Sequence, residues 1–149
     1  MIEIHTITHE HNRWNETISF AEKCLWKAGP YLAELMKQNK FLSWERVFVA
    51  CEDGEIAGFC TLTEKDELPA EYDFTPFIGF VFVDEKCRGK RISERMIEVA
   101  IRYANDLGYE NIYIMSGEQG LYEKYGFEKL GDYGTIYGSV DQLFVKKIG

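Results

Sequence analysis

The chain has 149 residues, which is the usual size of one domain with its own hydrophobic core. Hydrophobic residues make up 46% and aromatic residues 15% of it, a composition typical of a folded chain that excludes a disordered one. The net charge of −8 argues against general nucleic-acid binding, which requires a broad basic face, and suits a cationic substrate. Because no apolar run is long enough to span a membrane and residues 1–5 do not read as a signal peptide, we expect a cytoplasmic protein with no membrane partner.

The cysteines and histidines give no strong sign of a metal or a disulfide framework. The four cysteines are Cys24, Cys51, Cys60 and Cys87, and no two are spaced as in C-x-x-C. We therefore expect reduced thiols. The three histidines all precede the first predicted helix: His5, His9 and His11. This pattern is weak for a metal site or for a histidine-dependent nucleophile, so we expect no metal.

The first part of the chain predicts one strand and two helices. Residues 2–7 alternate apolar and polar side chains, as a half-buried strand does. Asn12 is placed to cap a helix that runs towards Ala28, and Gly29-Pro30 is placed to end it. A second, shorter helix is predicted for residues 31–39.

A hairpin and an acidic loop come next. Residues 46–51 and 55–62 have the composition of strands, and the turn at 52–54 joins them. The following loop is either a solvated segment or a rim that attracts an amine, with Glu64 at the strand end as a candidate base. Its carboxylates are Glu64, Asp66, Glu67, Glu71 and Asp73.

The centre of the chain predicts a strand-helix-strand unit. Residues 77–83 are apolar at nearly every position, which favours a central strand. A helix opens near Lys90 and ends at Gly108, and residues 111–115 form the next strand. Such a unit is expected to be parallel and right-handed.

The end of the chain predicts a short helix and a closing antiparallel arm. Ser116 is placed to cap the helix, which includes Leu121 and Lys124. Strands are predicted near residues 127–130 and 142–147. An exposed arm of this kind would permit a homodimer.

A basic turn lies between the central strand and the helix that follows it. Its basic residues and glycine are Lys86, Arg88, Gly89, Lys90 and Arg91, with Arg95 one turn further on. A helix N-terminus offers free N–H groups and the positive end of the helix dipole, so this turn predicts an anion site. The alternative is a solvated helix start whose cations pair with Asp84, Glu85 and Glu94.

The sequences VDEKCRGKRIS at the turn and LYEKYGF further on resemble those of the GNAT superfamily of acyl-CoA-dependent N-acyltransferases. That family reads Gln/Arg-x-x-Gly-x-Gly/Ala at the turn, and its backbone N–H groups hold the pyrophosphate of coenzyme A. Here Arg88 fills the first position, and Arg91 and Ser93 stand at the two small positions. Arg91 is compatible with the motif if it is already helical, since no positive φ is then required.

The resemblance implies a single domain over residues 1–149 with an α/β fold of the α+β type. Its sheet would be mixed, mostly antiparallel and twisted, with helices on both faces and a central parallel pair that splays where the ligand binds. The implied cofactor-binding residues are Val81, Val83, Arg88, Gly89, Lys90, Arg91, Ile92 and Ser93. The strand backbone at Val81 and Val83 would bond the pantetheine arm, and Tyr122 corresponds to the family's general acid.

The implied activity is transfer of an acetyl group from acetyl-CoA to a primary amine, by direct attack in a ternary complex. Glu64 or a water would take the proton that the amine must lose. The acceptor would be a small-molecule or peptide amine. Two other functions fit the same fold: an acyl-CoA sensor without turnover, and a protein-interaction domain that has lost the ligand.

Overall fold

The computed structural model describes residues 1–149 and contains a seven-stranded sheet with four α-helices. The strands are β1 (Ile2–Ile7), β2 (Arg46–Glu52), β3 (Glu55–Thr63), β4 (Phe77–Val83), β5 (Asn111–Ser116), β6 (Glu128–Gly134) and β7 (Val140–Lys147). The helices are α1 (Trp14–Lys23), α2 (Gly29–Lys37), α3 (Ile92–Asp106) and α4 (Leu121–Lys124). The strand order is β1-β2-β3-β4-β5-β7-β6, and β4 and β5 form a parallel pair. The predicted mixed, mostly antiparallel sheet with one parallel pair is therefore confirmed.

The chain groups into two compact units. The first unit comprises residues 1–61 and 80–99. In it β1 pairs antiparallel with β2, from Ile2 opposite Glu52 to Ile7 opposite Val47. Apolar residues of α1, α2 and the strands form its core, among them Trp14, Ala21, Leu32, Met36, Val49 and Phe59. This core supports the strand that leads into the basic turn.

The second unit comprises residues 62–79 and 100–149. Here Phe77 lies opposite Tyr113, and Ile78 opposite Ile114, in the parallel pairing of β4 with β5. Strand β7 pairs antiparallel with both β5 and β6, and the β6 register shifts between Lys129 and Gly131. A second core cluster contains Leu68, Phe77, Met115 and Leu143, with tyrosine and phenylalanine rings around it.

The helix predictions near the N-terminus need three corrections. Asn12 does not cap α1, because the helix begins at Trp14 after Arg13 and has no side-chain cap. The helix ends at Lys23, since Cys24 is extended. Gly29-Pro30 starts α2 and does not end the preceding helix. Proline is well suited to a first helical turn, where its missing N–H has no partner to lose.

Ser116, which was predicted to cap the short helix, also has a different place in the structure. It is the last residue of β5, and its hydroxyl accepts a hydrogen bond from the Glu118 N–H at 3.0 Å. Helix α4 begins only at Leu121, after Gly120. Both strands of the closing arm are longer than predicted. The pairing between β6 and β7 extends over polar residues, and these residues have no apolar pattern that would predict a strand.

The structure also shows the state of the cysteines and the apolar character of the helices. All four cysteines are free thiols, and three of them are buried. None of the helices has the length and apolar character that crossing a membrane requires.

Candidate functional site

The basic turn is anchored to the sheet at its start. After β4 the Asp84 N–H donates to the carbonyl of Ala57 on β3 at 2.7 Å. The Asp84 carboxylate accepts from the Lys86 N–H at 3.3 Å and caps a 3-10 helix that spans Glu85–Cys87. Cys87 is buried, so the turn rests on the first unit through this side chain. The chain that reaches α3 is therefore held at a fixed position.

Two residues of the turn have left-handed backbone conformations. Gly89 has φ +86°, and a Cβ built there would meet no atom within 4 Å, so the space above it is open. Arg91 has φ 60°, and its carbonyl accepts the helical hydrogen bond from the Arg95 N–H at 3.1 Å. The condition under which Arg91 fits the motif, that it is already helical, is not met: Arg91 precedes α3 and takes a conformation that costs an L-residue about 1–2 kcal/mol. Its side chain is 77% exposed and lies in solvent.

Two cations of the turn, Lys90 and Arg91, pair with carboxylates within the protein. The Lys90 ammonium binds both carboxylate oxygens of Glu52, at 2.6 and 2.8 Å, and this hydrogen bond raises the lysine pKa. The Arg91 Nε lies 2.6 Å from the Glu94 carboxylate. The alternative of a solvated helix start predicts Glu94 as a partner of these cations, and Arg91 pairs with it. That alternative does not predict Glu52, the partner of Lys90. The turn is thus exposed, basic and partly balanced by carboxylates.

Strand β4 changes conformation before it reaches the turn. Phe80 has φ 50°, which interrupts the regular strand and redirects the backbone that follows. Val81 and Val83 are half-buried. We expect from the sequence that the carbonyl of Val83 is free. In the structure it is not free, because it accepts a hydrogen bond from Arg88 Nε at 3.1 Å. The guanidinium can reach it because the 3-10 turn brings Arg88 back over the strand end.

The first turn of α3 is fixed by its apolar face. Ile92 is buried and packs the helix start onto the protein, while Ser93 is half-buried. Helix α3 is 15 residues long, so its N-terminus carries a full helix dipole. The first helical N–H groups have no intrahelical acceptor, which makes them available to an anion. Arg88, Gly89, Lys90 and Arg91 directly precede Ile92 and Ser93 at the start of α3, and the part of these residues in cofactor binding stays a prediction.

Tyr122 lies in the second unit and is only 4% exposed. Its ring centroid is 5.7 Å from that of Phe144 and 6.1 Å from those of Tyr125 and Phe127. Phe127 is buried as expected, whereas Tyr125 is half-buried and its carbonyl accepts from the Lys146 ammonium at 2.8 Å. Tyr122 is therefore a packed aromatic residue with a polar end.

Glu64 follows the end of β3 and is exposed. Its backbone carbonyl accepts a hydrogen bond from the Thr75 hydroxyl at 2.7 Å, which joins the two ends of the acidic loop. This bond closes the loop at its base.

Sequence reasoning missed two residues, Phe80 and Asp141. The left-handed conformation of Phe80 leaves no local sequence signal, since phenylalanine is an ordinary strand residue. Asp141 on β7 raises the pKa of both Asp66 and Glu67 by its charge, although burial is the larger cause at each. Asp66 and Asp141 are some 75 residues apart in sequence, so a local pattern could not show that their charges interact.

A comparison with known protein families identifies the family of this chain. Residues 7–127 match the model described as the acetyltransferase (GNAT) family. This chain belongs to the GNAT acetyltransferase family. It is an acyltransferase, and the matched range includes the whole basic turn and Tyr122. No curated protein matches the sequence significantly.

Solved structures share the fold at low sequence identity. Aminoglycoside 6'-acetyltransferase type Ii superposes with a TM-score of 0.76 at 18% identity, covering 99% of this chain and 97% of that one. An aminoglycoside 6'-N-acetyltransferase in complex with coenzyme A gives 0.73 at 15% identity, with coverage of 99% and 97%. A GNAT acetyltransferase from Elizabethkingia anophelis with acetyl-CoA bound gives 0.66 at 20% identity, with coverage of 98% and 97%. At these low sequence identities the structural similarity shows that the chain shares the fold of these proteins.

Proposed function

We propose that this enzyme transfers an acetyl group from acetyl-CoA to a primary amine by direct attack in a ternary complex. The observation that carries the proposal is the basic turn, in which Gly89 leaves open space at the N-terminus of α3. Family membership supports acyl transfer, and two structural neighbours were crystallised with coenzyme A or acetyl-CoA.

The residues of the turn suit the pyrophosphate of coenzyme A. Arg88, Lys90 and Arg91 supply positive charge, and the first N–H groups of α3 supply directed donors. The absence of a side chain at Gly89 allows a phosphate to approach the backbone. Arg88 would exchange its hydrogen bond to the Val83 carbonyl for a phosphate, which would release that carbonyl to the pantetheine arm.

The proposed reaction needs no covalent enzyme intermediate, because a thioester is already activated. The amine nitrogen forms a bond to the carbonyl carbon, and the bond from that carbon to sulfur breaks. Backbone N–H groups at Val81 and Val83 would stabilise the oxyanion that develops. Tyr122 would give its phenolic proton to the departing thiolate. A tyrosine of pKa about 10 can protonate a thiolate of pKa about 8.5 only as the bond breaks.

The amine must lose a proton before it attacks. An alkylamine with a pKa of about 10.4 arrives as an ammonium ion at neutral pH. Glu64 would accept this proton directly or through a water. Its exposure at the base of the acidic loop supports that role, since the loop would attract the cation.

A small-molecule acceptor is favoured over a peptide. Two of the structural neighbours are named as aminoglycoside acetyltransferases, which act on small amines. The net charge of −8 is consistent with a cationic acceptor.

The deciding experiment is calorimetric titration with acetyl-CoA, followed by a thiol-release assay with a panel of amines. We expect micromolar binding to the wild type, weakened at least about tenfold by Arg88→Ala because one charge-assisted phosphate contact is lost. Lys86→Ala is the matched control, since Lys86 is an exposed cation of the same turn. Absence of binding by the wild type would refute the proposal.

One observation favours a second function, an acyl-CoA sensor. Tyr122 is 4% exposed and its ring packs against Phe144, as the ring of a core residue does. A sensor would bind acetyl-CoA and release no thiol with any amine in the panel.

A further inference from the structure

Strand β4 changes direction after the part of it that pairs with β5. The pairing between the two strands includes Phe77 and Ile78. Phe80 then takes a left-handed conformation with φ 50°, which a phenylalanine rarely adopts and which persists only where the surrounding structure enforces it. The course of the strand from Val81 onwards must therefore be fixed by contacts other than this pairing.

Gly58 on β3 lets the backbone of β4 approach on the side where a side chain would lie. A Cβ atom built on Gly58 would stand 3.1 Å from the Cα of Val83 and 3.3 Å from the carbonyl carbon of Phe82, and still closer to the Phe82 carbonyl oxygen. Carbon atoms in contact prefer a separation of about 3.5–4.0 Å. The next residue, Asp84, ties β4 to β3 through the hydrogen bond from its N–H to the Ala57 carbonyl at 2.7 Å. Because the close atoms belong to the backbone, any side chain at position 58 would displace one of the two strands.

The ring of Trp26, in the connection between α1 and α2, holds the side chain of Phe82. The two rings lie 6° from parallel with their centroids 5.6 Å apart, and the Phe80 ring meets the same Trp26 ring edge-on at 6.3 Å. Phe59 on β3 adds a third contact, with its centroid 5.4 Å from that of Phe82. Aromatic pairs in stacked or edge-on arrangements stabilise a fixed geometry. Phe82 is thus held at both ends, its carbonyl against Gly58 and its ring by Trp26.

We propose that Gly58 and Trp26 are positioning residues that fix the β4 backbone from Val81 to Val83 for acetyl transfer. The N–H groups of this segment are the proposed donors to the thioester carbonyl, and such donors are effective only when they are held in place before the reaction. A displacement of about 1 Å can lower a rate by about 100-fold. This role rests on the proposed function, in which the segment stabilises the developing oxyanion.

The test is infrared spectroscopy of acetyl-CoA that carries carbon-13 at the acetyl carbonyl and is bound to the full chain. Hydrogen-bond donors polarise the carbonyl, so we expect its stretching frequency to fall when acetyl-CoA binds the wild type. Gly58→Ala should lose at least about half of that shift, because the donors move away from the carbonyl oxygen. Calorimetry should give a Kd for acetyl-CoA within about threefold of the wild type, since the pyrophosphate contacts proposed at the basic turn stay in place.

Two control variants separate positioning from a general loss of stability. Gly134 on β6 has open space where a Cβ would lie, so Gly134→Ala adds a methyl group to a strand without a clash. Ile7→Ala removes a buried side chain from β1, which is not adjacent to β4 in the sheet, and lowers stability by leaving a cavity. Both variants should keep the full carbonyl shift. An equal loss of the shift in Ile7→Ala and Gly58→Ala would overturn the proposal, because loosening of the core would then be the cause.

Trp26 variants keep the test decisive if Gly58→Ala does not fold. Trp26→Ala removes the stacked ring and adds no clash, so it should lose at least about a quarter of the carbonyl shift. Trp26→Phe keeps an aromatic ring against Phe82 and should retain most of the shift. The full shift in a folded Gly58→Ala, or in Trp26→Ala where Gly58→Ala does not fold, would overturn the proposal.

Acetyl-CoA binding separates this inference from the proposed function. A wild-type protein that does not bind acetyl-CoA refutes both. Normal acetyl-CoA binding with the same carbonyl shift in the wild type and in Gly58→Ala refutes the positioning role and leaves the acyltransferase. A carbonyl frequency that does not change on binding to the wild type also refutes the positioning role, and it leaves the pyrophosphate site at the basic turn.

Discussion

The basic turn of residues 84–95 and the cluster of Asp66, Glu67 and Asp141 handle charge in opposite ways. In the turn Lys90 and Arg91 pair with Glu52 and Glu94 at the exposed surface. In the cluster none of the three carboxylates forms an ion pair, and burial together with the charges of Glu67 and Asp141 raises the pKa of Asp66. Surface ion pairs can be exchanged for a ligand at little cost to stability, whereas neighbouring like charges without counter-ions reduce stability.

The largest effect is expected from a change that leaves both charged regions intact. Tyr122→Phe should lower the turnover number by about 100-fold or more, because the thiolate loses its proton donor. Acetyl-CoA should still bind within about twofold of the wild type, because no charged contact changes. Steady-state kinetics and calorimetry measure the two quantities, with Tyr125→Phe as the neighbouring control. Equal turnover in mutant and wild type would reject the acid role.

Paired glycine variants isolate ligand binding at the turn from backbone strain. Gly89 and Gly54 both belong to the first unit, have φ of +86° and +87°, and have open space where a Cβ would lie. Alanine at either position should cost about 1 kcal/mol of stability, since both require the left-handed region. Only Gly89→Ala should weaken acetyl-CoA binding, by about tenfold, because its methyl group stands where the phosphate approaches. Equal acetyl-CoA affinity in the two variants would place the anion elsewhere.

The cluster of Asp66, Glu67 and Asp141 should make the stability of the protein depend on pH. The folded-state pKa of Asp66, about 7, lies above the unfolded value of about 3.9. The folded protein therefore holds the proton more tightly, and this contribution to stability is complete below pH about 4 and is lost as the pH rises through about 7. Asp66→Asn should raise the melting temperature by about 3–6 °C at pH 8 and by less at pH 5.

The groups that face Asp66 bear on this pH dependence. Glu67 and Asp141 add to the effect through their charges, while the Lys65 ammonium is held by the backbone carbonyls of Tyr72 and Phe74. Glu71→Gln should show no such difference between the two pH values. A gain in stability that does not vary with pH would mean that Asp66 is not the titrating group.

The smallest effect is expected at Arg91. Arg91→Gly removes the left-handed strain and loses the surface ion pair with Glu94, so stability should rise by about 0.5 kcal/mol after the greater chain entropy of glycine is counted. Arg91→Ala keeps the strain and loses the same ion pair, so it should not stabilise the protein. Urea unfolding compares the two variants, and a rise in stability of both would show that the ion pair matters more than the backbone.

Local patterns along the chain were sufficient to predict the strand of residues 77–83, the turn at 52–54 and the parallel pair, because side-chain periodicity and turn residues act over a few positions. The same holds for the basic turn and for Tyr122 as candidates, since each is part of a short motif. The error at Gly29-Pro30 arose because these residues suit both the end and the start of a helix, and the packing of α1 and α2 decides between the two.

Only the tertiary structure decided the properties that give these residues their chemistry. The left-handed backbone of Arg91, the hydrogen bond from Arg88 to Val83 and the burial of Tyr122 depend on how the chain returns over itself. Asp141 joins the acidic loop through pairing and backbone bonds between distant segments. Charge and burial are sums over neighbours in space, and a sequence pattern records only neighbours along the chain.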